Sequence, residues 1–174
     1  MSRELSRKAY TDLFGATEGD RIRLGDTNLL AEIEKDHTTY GDEAVFGGGK
    51  TMRDGMGMQP GTTQAEGALD YVYTNVVLID PVLGVQKGDL GVRDGEVAGF
   101  GKAGNPDTMD GVDENLIIGA STDAVPADGL IATPGAFDIH VHFNSKELFD
   151  HALASGITTM MGGGYGGGAT TCTP

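Results

Sequence analysis

The sequence predicts an α/β chain in which a β-rich module comes first and one βαβ unit follows. Short apolar runs separated by tight turns fill residues 70–101, as is typical of a sheet or sandwich. Residues 129–161 then suggest strand, helix and strand, the building block of a parallel sheet or barrel. We therefore expect a β-sandwich-like composite domain in residues 1–131 and the incomplete start of a barrel-like domain in residues 132–174.

A short helix and a hairpin are expected at the start of the chain. Residues 2–14 place Leu5, Ala9 and Leu13 roughly on one helical face, and Gly15 is a natural helix end. The segment that follows, "DRIRLGDTNLLAEIEKD", alternates apolar and polar residues on either side of "GDTN". This alternation predicts a hairpin with one polar side.

The glycine-rich stretch from Tyr40 to Gly67 has no clear period, so an ordered loop and a flexible excursion both remain open. Within it, "GGGKT" imitates a phosphate-binding loop. Ala44 stands where that motif requires its first glycine, no strand leads in and no helix follows. Nucleotide binding through Lys50 is therefore not expected.

The rest of the first domain is expected to be mainly strands. Residues 70–80 predict a strand, "PVLG" a turn, and residues 87–102 two short strands about the Asp94-Gly95 turn. A polar insertion over residues 103–122 precedes the next β-segment.

The second domain is expected to be a βαβ unit. Residues 129–143 predict one strand, residues 145–156 a helix that ends at Gly156, and residues 157–161 a buried strand. The chain stops soon afterwards. Because two parallel strands cannot bury both faces of their sheet, we expect the sequence to be unfinished.

The charge and cysteine content exclude several classes of protein. With 26 acidic and 12 basic residues the net charge is -14, which disfavours nucleic acid and anionic membranes as partners and would suit solubility in concentrated salt. Cys172 is the only cysteine, so neither an intrachain disulfide nor a cysteine zinc cluster is expected. The first residues do not resemble a signal peptide, and no run of about 18 apolar residues predicts a membrane span. These features suit a cytoplasmic protein.

Two histidines in "TPGAFDIHVHF" are the main candidates for chemistry. Side chains alternate along a strand, so His140 and His142 project together and Asp138 lies on the same face. Two imidazoles on a rigid strand can reach one cation, although ordinary hydrogen-bonded histidines have the same spacing. A catalytic metal site needs at least three protein ligands, and this sequence does not provide a complete set.

The remaining candidates are weaker. His37 is expected to be a solvated surface residue, and His151 a structural residue on the helix. Cys172 has no basic neighbour in the sequence, so we expect an inert buried thiol.

Several long stretches carry a family resemblance. They include "EKDHTTYGDEAVFGGGKTMRDGMG", "GKAGNPDTMDGV", "ALASGITTMMGGG" and "ATTCTP", and together they run through the whole chain. With them, the sequence resembles the N-terminal part of a urease catalytic (alpha) subunit, within the amidohydrolase superfamily. The resemblance implies a small β-domain followed by the first βαβ unit of a (β/α)8 barrel.

The resemblance also implies an activity and a metal. Ureases hydrolyse urea to ammonia and carbamate at two nickel ions, so His140 and His142 would be nickel ligands. Ala169 matches a position whose backbone carbonyl contacts the substrate amide. The carbamylated lysine that bridges the metals, and the other ligands, belong to later barrel strands absent from this chain, which contains no catalytic residue. Urease beta and gamma subunits and nickel-insertion accessory proteins are implied as partners.

The sequence departs from the family in two places, and two other readings remain open. The segment Tyr165–Gly168 is shorter than the usual loop before "ATTCTP", and "NSKELFD" replaces the usual polar stretch after the histidines. A zinc-dependent relative of dihydroorotases or hydantoinases would use the same pair. A non-catalytic truncated fragment, serving in assembly or interaction, would explain the missing ligands.

Overall fold

The computed structural model describes residues 4–45 and 52–163. They fall into two compact units, one reaching to Ala132 and the other beginning at Thr133. None of the helices among these residues is long and apolar enough to cross a membrane.

Helix α1, Arg7–Phe14, lies within the predicted helical stretch but is shorter. It begins where it does because the Ser6 hydroxyl oxygen accepts the backbone N–H of Ala9 at 3.2 Å, which makes Ser6 the N-cap. Gly15 ends it with a φ of +79°, as predicted. No residue of α1 is buried, and Leu13, on its apolar face, is 60% exposed.

The predicted hairpin is confirmed. Strand β1, Arg21–Arg23, pairs antiparallel with β2, Leu30–Glu32. Ile33, just after β2, is almost fully buried.

A six-stranded mixed sheet forms the centre of the first unit. Its strands are β3 (Lys35–Asp36), β4 (Tyr71–Asp80), β5 (Gly84–Arg93), β6 (Glu96–Gly101), β7 (Asp123–Pro126) and β8 (Ile131–Ala132). The predicted turn between β5 and β6 is confirmed, with positive φ at both Asp94 and Gly95.

The β-rich prediction is thus confirmed, but the sheet contains parallel pairs that the sequence did not predict. Strand β4 pairs antiparallel with β5 and parallel with β7 and β8, while β3 runs parallel to β5. Short strands returning from distant parts of the chain make these pairs, so local turn patterns could not reveal them.

The supposed polar insertion contributes to the core. Leu116 and Ile118 are fully buried and pack in one cluster with Leu69 and Val72. Met52, in the glycine-rich stretch, belongs to the same cluster, so the described part of that stretch is an ordered loop. The "GGGKT" segment lies outside the described residues.

A short 3₁₀ helix, Gln64–Glu66, interrupts the glycine-rich stretch. The Glu66 carboxylate accepts the backbone N–H of Thr63 at 2.9 Å and its hydroxyl at 2.8 Å. This capping arrangement orders the loop locally.

The second unit has the predicted βαβ order. Strand β9, Ala136–His142, is followed by α2, Glu147–Ala154, and β10, Ile157–Gly163, which pairs parallel with β9. The single predicted strand over residues 129–143 is wrong. It divides into β8 and β9, which belong to different sheets, with Pro134 between them; proline has no N–H to continue a ladder.

Strand β10 was also expected to be buried, and this is wrong for the described residues. Most of its side chains are exposed, including Met161 at 60%. Parallel strands normally have both faces covered, and the described part of the chain does not supply that cover.

Candidate metal site

Strand β9 places the two histidines in the exposed part of the second unit. His140 and His142 are exposed, while Val141 between them is buried. This alternation is the one that a strand imposes on neighbouring side chains. The structure therefore brings together the two residues that the spacing singled out.

The two imidazole rings converge at their outer nitrogens. The Nε2 atoms of His140 and His142 lie 3.3 Å apart, and the ring planes meet at 63°. Two Nε2 lone pairs at this separation can be directed at one cation after a small side-chain rotation. Imidazole nitrogen suits nickel, zinc, copper and iron. The donor pair therefore fits nickel but does not distinguish it from the other three metals.

The backbone next to the pair is irregular. Met160 is paired with Asp138, but the next pairs join Gly162 to Val141 and Gly163 to His142. Ile139 and His140 therefore stand opposite the single residue Met161, which is the arrangement of a β-bulge. At the same place, the Asp138 Oδ1 accepts the backbone N–H of His140 at 3.0 Å.

The described residues contain no complete set of metal ligands around this pair. Among residues 4–45 and 52–163, no group of three or more His, Cys, Asp or Glu side chains is placed to hold a metal ion. A catalytic centre that keeps an open position requires at least three protein ligands. A metal site built on this pair would therefore need at least one more protein ligand.

The other predicted residues have different surroundings. The prediction that His37 is solvated is wrong, because it is half-buried, its Nε2 lies 2.8 Å from Gln86 Oε1 and its ring meets Phe100 edge-on. His151 is an exposed residue of α2. Ala169 and Cys172 lie outside the described residues, as does Lys50.

The sequence did not reveal a buried group of charges in the first unit. Lys87 is fully buried with its Nζ 3.7 Å from Asp36 Oδ2, and burial lowers the pKa of this lysine. Burial raises the pKa of Asp89 to about 6. No residue of β5 is fully exposed, but its sequence mixes charged, polar and apolar residues, so no period in the sequence indicated the burial of Lys87 and Asp89.

These charges have a structural explanation. Asp89 accepts the backbone N–H of Asn75 at 3.0 Å through Oδ1 and that of Ala103 at 2.8 Å through Oδ2. Asn75 has a φ of +57° at an irregularity of β4, so the carboxylate fixes a strained stretch of backbone. Both oxygens of Asp89 are occupied, which argues against a catalytic role.

A cavity of about 610 Å³ lies beside α1. Its described wall is mainly aromatic and aliphatic, with Tyr10, Phe14 and Tyr40 prominent and Glu43 as the one carboxylate among those residues. The described lining includes neither of the two histidines nor a second metal-ligating side chain, so this cavity is a poor candidate for hydrolytic chemistry.

Comparisons with known proteins agree with the family resemblance found in the sequence. The family model described as the N-terminal domain of the urease alpha-subunit matches residues 3–125. The chain is 83% identical over 173 residues to a urease subunit alpha of Haloquadratum walsbyi and 79% identical over 174 residues to one of Natronomonas pharaonis. A urease subunit alpha of Laribacter hongkongensis is 57% identical over 162 residues. These alignments cover 99%, 100% and 93% of this chain, but 30%, 30% and 28% of the relatives.

Proposed function

Because the chain belongs to the urease alpha-subunit family, we propose that it supplies two nickel ligands, His140 and His142, to a complete urease. The reaction is hydrolysis of urea to ammonia and carbamate. The observation that carries this proposal is the 3.3 Å approach of the two Nε2 atoms on an exposed strand. Without a metal, the two nitrogens are within hydrogen-bonding distance, one imidazole donating its N–H to the other, and a cation would take the place of the shared proton.

The part played by this chain is to hold and aim donor atoms. Two nickel ions held in part by these residues would supply Lewis acidity toward the urea carbonyl and a hydroxide at neutral pH. His140 and His142 would present neutral imidazole nitrogens from β9. The Ala169 backbone carbonyl would accept a hydrogen bond from an amide N–H of urea and so orient the substrate.

The rest of the centre is proposed to come from sequence beyond this chain. The chain spans about 30% of the length of the curated relatives it matches. We propose that β9, α2 and β10 begin a (β/α)8 barrel, because active sites of that fold lie at the carboxyl ends of its strands and His142 is the last residue of β9. The bridging carbamylated lysine and the remaining ligands would come from later strands.

The partners follow from the same family. Urease beta and gamma subunits and nickel-insertion accessory proteins are proposed to bind the complete protein, in the cytoplasm. The net charge of -14 disfavours nucleic acid and anionic membranes as partners. The 174-residue chain alone should release no ammonia from urea, even with nickel and bicarbonate, because its described residues offer only two ligands.

The test uses the full-length subunit with its partner subunits. His140→Ala and His142→Ala should each abolish ammonia release and lower the nickel content measured by inductively coupled plasma mass spectrometry. His151→Ala is the matched control, since this exposed histidine of α2 belongs to the same unit, and it should keep wild-type nickel and activity. Full activity in His140→Ala would refute the ligand assignment, and zinc in place of nickel would favour the dihydroorotase-like alternative.

A further inference from the structure

The irregularity of β9 falls on one of the two proposed ligands. In an uninterrupted strand each residue faces one residue of its neighbour, but Ile139 and His140 together oppose only Met161. A bulge changes the direction in which the side chain at that position points. The orientation of His140 relative to His142 therefore depends on the backbone at this bulge.

Two features hold the bulge in place. On β9, the Asp138 Oδ1 accepts the backbone N–H of His140 at 3.0 Å, the short-range bond that aspartate often makes to the residue two positions on. On β10, Gly162 approaches so closely that an added Cβ would collide with the backbone of Val141. The first feature depends on a side-chain oxygen and the second on the absence of a side chain.

The oxygen of Asp138 that makes this bond is directed at the backbone. Asp138 is half-buried, and its Oδ1 is occupied by the N–H of His140. A carbonyl oxygen of asparagine has the same position and accepts the same bond, so the negative charge is not needed for it.

We infer that Asp138 is a positioning residue for the proposed metal site, acting through the main chain of His140 and not as a ligand. By fixing the amide of His140, its carboxylate sets the direction of that imidazole and so its distance from His142. This inference rests on the proposed function only for its metal readout. The backbone effect exists in the metal-free protein.

Three variants of the full-length subunit separate the possibilities. Asp138→Asn keeps an acceptor at the same place and should bind nickel within a few-fold of wild type. Asp138→Ala removes the acceptor, and Asp138→Gln moves it by one methylene. Both should weaken nickel binding about 10- to 100-fold, the usual effect of losing a group that orients a metal ligand. Asp150→Ala removes an exposed acid of α2 and should change nothing.

A second measurement does not involve the metal. In the metal-free subunit, amide hydrogen exchange at His140 should be several-fold faster in Asp138→Ala and Asp138→Gln than in Asp138→Asn, since a protecting hydrogen bond is lost. Exchange in α2 should be the same in all three. If Asp138→Ala does not fold, the Asn and Gln variants give the comparison.

The outcomes are distinguishable. Equal loss of nickel in Asp138→Asn and Asp138→Ala would show that the charge matters and would overturn the inference. Unchanged exchange at His140 in both Asp138→Ala and Asp138→Gln would overturn it as well. Faster exchange combined with nickel binding that His140→Ala does not affect would instead refute the proposed function and leave the positioning of the backbone intact.

Discussion

The two units of this chain differ in how much of their apolar surface they bury. The first unit has a core of its own, in which Leu69, Leu116 and Ile118 are fully buried. In the second unit, Ile139 is 74% exposed and Leu153 is 66% exposed. A parallel βαβ unit normally has both faces of its sheet covered. The exposed apolar side chains of the second unit are therefore expected to pack against further structural elements. The comparison suggests that stability resides in the first unit and the proposed metal chemistry in the second.

The largest expected effect compares the same substitution in both units. In the 174-residue chain, Leu116→Ala should lower the free energy of unfolding by about 2–5 kcal/mol, because it leaves a cavity in a packed core. Leu153→Ala should change it by less than about 0.5 kcal/mol, as is usual at the surface. Guanidinium chloride unfolding followed by circular dichroism measures both.

The same pair in the full-length subunit sharpens the comparison. If later parts of the full-length subunit cover α2, the loss of unfolding free energy caused by Leu153→Ala should rise towards that of a core leucine. The loss caused by Leu116→Ala should not change. An equally small loss of unfolding free energy for Leu153→Ala in the 174-residue chain and in the full-length subunit would contradict the expectation that further elements pack on the second unit.

A pair of neighbouring glycines tests the bulge from the opposite strand. Gly162→Ala should lower the free energy of unfolding by about 1–3 kcal/mol, because the new methyl group collides with the backbone of Val141 and β10 must shift. Gly163→Ala is the control, since its Cβ would meet no described atom within 4 Å. Melting temperatures of the two variants give the difference, and equal values would argue against a tight bulge.

An effect of similar size is expected at the buried carboxylate of the first unit. Asp89→Asn should lower the free energy of unfolding by about 1–3 kcal/mol. One carboxylate oxygen that accepts a backbone N–H becomes an NH2 group, so two donors face each other. Asp94→Asn makes the same chemical change at an exposed turn with positive φ, which asparagine tolerates, and should be nearly neutral. Chemical unfolding at pH 7 measures both.

The cost of Asp89→Asn should also depend on pH. The pKa of this carboxyl is raised from 3.8 to about 6 by burial, so between these values the folded protein holds a proton that the unfolded chain has lost. The contribution of Asp89 to stability therefore falls as pH rises from about 4 to about 6. Asparagine does not titrate, so the deficit of the variant should be larger near pH 4 than near pH 7. A deficit that grows with pH would contradict this assignment.

The sequence was most informative where local patterns decide the structure. The Asp94-Gly95 turn, the hairpin of β1 and β2, and the βαβ order were predictable from turn residues and apolar alternation. The period of a strand predicted that His140 and His142 lie on one face, whereas their exact approach also depends on the bulge at His140. The parallel partners of β4 and the burial of Leu116 depend on residues far apart in the chain, so no local pattern contained them.

Part of the candidate site was also beyond sequence reasoning. A bulge arises from the register of two strands, and Asp138 was recognised only as sharing a face with the histidines. Its bond to the amide of His140 became visible once β9 and β10 were paired. The missing ligands were inferred from the family and not from any pattern in these residues.

The central claim is that His140 and His142 bind one metal ion together in the complete enzyme. Anomalous X-ray scattering at the nickel edge, from crystals of the full-length subunit with its partners, tests it directly. The account predicts a nickel peak about 2.0–2.1 Å from the Nε2 atoms of both residues, the usual length of bonds from imidazole to such metals. Nickel bound elsewhere, with these two rings still facing each other and coordinating nothing, would contradict it.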